Sequence, residues 1–158
     1  MSYSLVVFDW DGTLMDSTHS IVAAIQGACR DLELPVPSAS DASWVIGLSL
    51  ESALRRAVPE LTQAMLPRFL ERYRTHYLLR DPELRLFDGI PELLTELAGQ
   101  NVRLAVATGK SRVGLTRALA ATGLGPMFDA TRTADETFSK PHPGMLHELM
   151  QELSLIHI

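Results

Sequence analysis

The chain has 158 residues, 46% of them apolar and 21% charged, and its 14 basic and 19 acidic side chains leave a formal net charge of −5. This is the composition of a globular chain rather than a disordered or disulfide-stapled one, and its mild acidity excludes a global field for nucleic acid or anionic lipid. No apolar run approaches the roughly 20 residues that span a bilayer, so no membrane role is expected, and the single Cys29 suits a reducing cytoplasm.

The first predicted element is Leu5 to Phe8 (LVVF), a β-branched-rich run that reads as a buried strand and stops at Asp9. Asp11-Gly12 then signals a turn. From Ser17, placed as an N-cap, Ile21, Val22, Ile25, Ala28 and Leu32 recur at helical spacing until Pro35 and Pro37 close the helix. Ser40 to Arg80 reads as helix in pieces, with breaks near Gly47, Pro59 and Pro67, and no strand is expected between residues 16 and 84. Pro91, after Asp88-Gly89, opens a helix through Leu93, Leu94 and Leu97 to Gly99. Val102 to Ala107 is a second buried strand, and Ser111 to Ala121 a further helix closed by Gly123. Phe128 to Thr131 is a weak third strand, and Pro143 opens a last helix through Leu153. This order implies right-handed crossovers and an α/β fold: a Rossmann-like parallel sheet with an all-helical block inserted after the first strand.

Ligands of open parallel sheets gather beyond the carboxyl ends of the strands. Those positions hold Asp9-Trp10-Asp11-Gly12-Thr13, then Thr108-Gly109-Lys110, and, after the third strand and a loop, Lys140-Pro141. Two carboxylates, a hydroxyl beside flexible backbone and an ammonium suit phosphoryl transfer through an aspartate. One carboxylate can attack phosphorus, and the other can protonate the leaving oxygen and then activate water. A divalent cation, Mg²⁺ by its preference for oxygen, offsets the repulsion between two anions. Thr108 and the Gly109 N–H can bind phosphoryl oxygens, Lys140 can offset transition-state charge, and Gly12 lets the chain turn sharply behind the carboxylates.

These residues also carry a family resemblance. FDWDGTLMDS resembles the first signature of the haloacid dehalogenase-type (HAD) phosphohydrolases, VATGKS the second and SKPHPG the third. The helical insert resembles the cap of the phosphoglycolate phosphatase-like branch, and LFDGIPELLTEL the segment that returns from cap to core. The resemblance implies a HAD-like core over residues 1–15 and 87–158 and a cap over 16–86. It implies that Asp9 is the nucleophile and a metal ligand, and that Asp11 is the acid/base, its main-chain carbonyl also binding the metal. Thr108 and Gly109, with Gly12 and Thr13, would bind the phosphorylated substrate, and Lys140 would orient nucleophile and phosphoryl group.

Simpler readings bound this. Asp-Gly alone is a turn signal, and ATGKS fails as a nucleotide-binding P-loop because Leu104 stands where that loop needs glycine. Lys110 is expected to face solvent, and Arg72 and Arg74 to form the wet side of a cap helix. Gly47 to Leu50 (GLSL) is the better candidate for facing the leaving group. His19, His76, His142, His147 and His157 lack zinc-ligand spacing and, with Cys29, read as structural. Asp11 argues against the dehalogenases, which generally lack that second carboxylate, and against the ion pumps, which carry Thr there. A phosphatase of a small phosphorylated metabolite, a phosphomutase, and a non-catalytic product binding phosphate or a protein partner stay open.

The resemblance also calls for a fourth signature, an apolar strand ending in Gly-Asp with one more acidic residue. Nothing after Leu153 resembles it, and the last residues read LSLIHI. The expectation is a core without its last strands, through cloning, frameshift or natural truncation. Weak Mg²⁺ binding, reduced turnover and self-association through an exposed edge of Leu5 to Phe8 would follow.

Overall fold

A computed structural model describes residues 3–44 and 46–154. Strand β1 (Leu5–Phe8) leads into helix α1 (Thr18–Asp31), followed by α2 (Ala39–Ser43), α3 (Leu50–Ala57) and α4 (Leu66–Arg80). The chain then alternates as α5 (Ile90–Gly99), β2 (Arg103–Ala107), α6 (Arg112–Thr122), β3 (Ala130–Arg132) and α7 (Gly144–Glu152). The strands form one parallel sheet in the order β1-β2-β3, with Phe8 opposite Val106 and Ala105 opposite Ala130.

Alternation along β2 explains how helices cover both faces. Leu104 and Val106 join Trp10, Leu14, Leu94 of α5 and Leu115 of α6 on one side. Ala105 and Ala107 face the other way, where their small side chains leave room for Met145 and Leu149 of α7. The inserted helices keep a separate core of their own, built on Ile25, Ala28, Cys29, Leu54 and Phe69. There α1 and α4 approach so closely that a Cβ on Gly27 would lie 2.7 Å from the His76 ring.

The cap joins the sheet through two chain crossings that lie side by side. The Asp16 N–H donates to Arg85 O (2.9 Å) and the Phe87 N–H to Leu14 O (3.0 Å), with Met15 bridging antiparallel to Leu86. Among the described residues no strand occurs between 16 and 84, as expected.

Several boundaries differ from the sequence reading. Helix α1 ends at Asp31, before the prolines, and Glu33 turns the chain with φ +55°. The break expected near Pro67 falls just before it, and Pro67 itself occupies the first turn of α4, where its missing N–H leaves no bond unmade. Strand β3 begins two residues later and ends one residue later than expected. Ser17 stands at the N-cap of α1, yet its side chain makes no capping bond. The end of the LSLIHI tail, with His157, lies outside the described residues.

Candidate active site

The three expected loops meet above the carboxyl ends of the strands. Lys140 Nζ, carried on the loop after β3, lies 3.0 Å from Asp9 Oδ2 and donates to the Ala107 carbonyl at the end of β2 (3.2 Å). The other oxygen of Asp9 accepts the Trp10 N–H (2.7 Å), and burial of the Trp10 ring in the core fixes that turn. Thr108 is buried; its N–H donates to Arg132 O (3.1 Å), and its Oγ1 accepts the Lys110 N–H (3.1 Å). Among the described residues the Thr108 hydroxyl donates to no acceptor, so its hydrogen is available for donation. Among the described residues nothing accepts from the Gly109 N–H. Gly12, at φ +76°, donates its N–H to Met15 O (2.9 Å), and Thr13 its N–H to Trp10 O (3.2 Å). These two residues build the turn and use their amides within it.

Asp11 has the more enclosed setting. Ser17 Oγ donates to its Oδ1 (2.7 Å), and Lys110 Nζ lies 3.2 Å from both of its carboxylate oxygens. Lys110 therefore does not face solvent as the sequence reading expected. Its side chain is only 13% exposed, because it turns inward beneath α4 to meet Asp11 and Tyr77. Burial disfavours its charged form, but Asp11 and Tyr77 outweigh burial and hold its pKa above the usual lysine value. Burial likewise pushes the Tyr77 hydroxyl up, against the pull of the Lys110 ammonium.

The cap closes the site from above with its backbone. A Cβ built on Gly47 (φ +98°) would lie 3.5 Å from Asp9 Oδ2, and one on Gly109 only 2.2 Å from the Leu48 carbonyl oxygen. The GLSL segment thus lies over Asp9 and Gly109, while Ser49 caps α3 by accepting the Ser52 N–H (3.3 Å). Arg72 does not enter the site: it pairs with Asp31 (2.8 Å) along the α1–α4 seam beside His76, and Arg74 is exposed.

A polar network fixes the loop that carries Lys140. Arg112 binds both carboxylate oxygens of Glu136 (2.7 Å each) and Thr131 Oγ1 (2.9 Å), and the Thr133 N–H donates to Glu136 (3.0 Å). Arg112 beside it holds the Glu136 carboxyl down to about 2. Arg132 and Thr137 meet on Glu148 of α7.

Among the described residues no group of three or more His, Cys, Asp or Glu side chains gathers as a metal cage. The oxygen donors of Asp9 and Asp11 nonetheless fit a hard cation that keeps waters and takes a substrate phosphate as a further ligand. Ser17, Lys110 and Tyr77 are the neighbours of this site that sequence reasoning missed. The signal for Lys110 was its place in the turn after β2; nothing local pointed to Tyr77.

A family model described as haloacid dehalogenase-like hydrolase matches residues 6–157. The chain is 39% identical over 147 residues to a probable phosphatase, IndB, of Dickeya dadantii, covering 89% of this chain and 64% of that one. It is 34% identical over 156 residues to a phosphoglycolate phosphatase of Pectobacterium atrosepticum, covering 95% and 67% respectively. The crystal structure of a predicted phosphoglycolate phosphatase from Haemophilus somnus superposes with a TM-score of 0.86 at 26% identity, covering 96% of this chain and 72% of that one. The chain thus spans about two thirds of the length of these curated relatives. No helix among the described residues is long and apolar enough to cross a membrane.

Proposed function

The chain belongs to the haloacid dehalogenase-like hydrolases, and from that premise we propose that it is a phosphatase of small phosphorylated metabolites, of the phosphoglycolate phosphatase-like branch. Asp9 is the nucleophile. One of its oxygens attacks phosphorus as the ester P–O bond breaks, giving an aspartyl-phosphate, and Asp11 delivers a proton to the leaving oxygen. Asp11 then takes a proton from water as that water attacks phosphorus, releasing phosphate and regenerating Asp9. Thr108 Oγ1 and the Gly109 N–H hold non-bridging oxygens, and Lys140 orients Asp9 and offsets the charge that passes through the transition state. The Asp9 carboxylate and the Asp11 carbonyl would hold Mg²⁺, which when bound supplies charge neutralisation between nucleophile and phosphate.

The observation that carries this reading is the 3.0 Å contact of Lys140 with Asp9, which joins the third signature to the first across the sheet. Residues 16–86 act as the cap that excludes water, and 1–15 with 87–158 as the core. The buried free thiol of Cys29, raised to about 11 by its burial, suits a cytoplasmic protein. Among the described residues β1 lies at the edge of the sheet, and self-association would run through pairing of that edge with a strand of a second copy.

The test is phosphate release from 2-phosphoglycolate and p-nitrophenyl phosphate in the presence of Mg²⁺. Asp9→Asn should lower turnover by at least about 10⁴-fold, as loss of a nucleophile does. Equal rates in the two proteins, or rates indifferent to the metal, would overturn the mechanism.

A further inference from the structure

Lys110 occupies a position that the phosphatase reading leaves without a role, and its contacts define one. An ammonium has three N–H donors. Here they are met within the protein, by Asp11 Oδ1, Asp11 Oδ2 and the Tyr77 hydroxyl, each at 3.2 Å. No donor is left for a substrate oxygen, so Lys110 is not a phosphate ligand. Its charge also lies 4.9 Å from the centroid of the Tyr77 ring, so the ring and hydroxyl of one cap residue both bear on it. Tyr77 is rooted in the cap by stacking on Tyr73 (centroids 6.0 Å apart, planes at 22°).

Asp11 is therefore held from two sides. Ser17, at the first crossing from core to cap, takes one oxygen at 2.7 Å, and Lys110 takes both. Through Lys110 the carboxylate is tied to α4, whose own attachment to the core runs through the second crossing at Arg85. If the cap lifts, Tyr77 leaves and Lys110 loses a hydrogen bond and a cation–π contact together. The ammonium then keeps only its Asp11 contacts and takes water in the tyrosine's place, so that the pair is no longer fixed from the cap.

We propose that Lys110 is a positioning residue that ties the cap's Tyr77 to Asp11, so that the carboxylate is aligned for proton transfer only when the cap is seated. The proposal rests on the assignment of Asp11 as the acid in phosphate ester cleavage. It makes closure of the cap and readiness of the acid one event, so that cleavage does not begin in an open, wet site.

A misaligned acid has a signature that a loosened fold lacks. Ethoxide must be protonated as it leaves, whereas p-nitrophenolate departs without help. In the full chain with Mg²⁺, Lys110→Met should lower kcat/KM for ethyl phosphate by about 10²-fold, the usual scale of a lost general acid. For p-nitrophenyl phosphate it should fall by less than about fivefold, and Tyr77→Phe, which keeps the ring, should show the same imbalance more weakly. Equal losses on the two esters in both variants would overturn the proposal.

The coupling is also read without turnover, from residual dipolar couplings of backbone amides in aligned medium. In the wild type, amides of α1 and α4 and those of β2 and α6 should fit one alignment tensor, and in Lys110→Met they should need two. A single tensor in the Lys110→Met and Tyr77→Phe proteins would overturn the coupling. A wild-type chain inert toward both esters would instead defeat the phosphatase reading, and the tie between cap and Asp11 would stand or fall on the tensors.

Discussion

Two lysine–aspartate pairs lie above the same sheet and differ in what they are fastened to. Lys140 meets Asp9 at 3.0 Å with the two side chains 28% and 24% exposed, whereas Lys110 meets Asp11 at 3.2 Å with 13% and 12% exposed. The first pair is anchored wholly in the core. Lys140 donates again to Ala107 at the end of β2, and Arg112 and Arg132 pin the loop that delivers it. The second pair is roofed by α4 and shares its lysine with Tyr77. The carboxylate proposed to attack phosphorus is thus held by core contacts alone, and the one proposed to move protons is held by a lysine that also binds the cap's Tyr77. A nucleophile can stand ready at all times without harm, but an acid that works only under a closed cap protects against unproductive water.

The sharpest way to separate the pairs is to remove the core-anchored lysine. Lys140→Met should lower kcat/KM by about 10²–10³-fold, as loss of a charge-stabilising group does, and by the same factor for ethyl and p-nitrophenyl phosphate. Steady-state kinetics on the two esters check this, and an uneven loss like that expected for Lys110 would erase the distinction between the two pairs. Dipolar couplings of this variant should still fit one tensor, because the contacts of Lys140, with Asp9 and Ala107, lie within the core.

The cap side can be broken without touching either lysine. Gly109→Ala would place a methyl group 2.2 Å from Leu48 O, a contact with backbone that only a displaced cap or a displaced phosphate loop relieves. A shift on the order of 1 Å at reacting groups can lower the rate about 10²-fold, and kcat/KM should fall on that scale while thermal unfolding stays near the wild type. Gly27→Ala tests the cap's own packing. Its methyl group would meet the His76 ring at 2.7 Å, and that ring is held on Asp31 at 2.9 Å and cannot simply swing away. Overpacking of about 1–3 kcal/mol, less about 1 kcal/mol gained from helix propensity, should show as lower stability to urea. The kcat/KM of the folded protein should not change.

How much of this could be read from the residues alone follows from how local each feature is. The strands, and the chemistry at their ends, are written in contiguous segments: LVVF runs straight into Asp9, and VRLAVA into Thr108. The side-by-side placement of those ends follows from parallel pairing, so Asp9, Asp11, Thr108 and Lys140 were legible as a set. Lys110 was not, because its direction is decided by a tyrosine 33 positions earlier on a different element. Ser17 stands at the N-cap as read, but where its hydroxyl points was not legible, for a related reason. A serine before a helix can accept from the helix's amides or donate elsewhere, and the Asp11 carboxylate is a stronger acceptor than solvent. Pro67 carried the same ambiguity between breaking a helix and beginning one.

The smallest expected effect concerns the brace that keeps the core-anchored pair independent of the cap. Glu136 is held down to about 2 by the Arg112 guanidinium, well below the ordinary glutamate value of 4.5. A carboxylate whose pKa is depressed by folding contributes stability that is fully present above its unfolded value. That contribution fades as pH falls from about 4.5 and is gone below about 2, where both states are protonated. The carboxylate is 34% exposed and screened by water, so the contribution is no more than about 1 kcal/mol. Glu136→Gln should remove it at neutral pH, lowering stability by that amount and flattening the part of the acid dependence that lies below pH 4.5. If the loop that Glu136 braces sets only Lys140, the variant's small loss of activity should again fall equally on both esters. An uneven loss would mean that strain in the core loop reaches Asp11 as well, and that the two pairs are not mechanically separate.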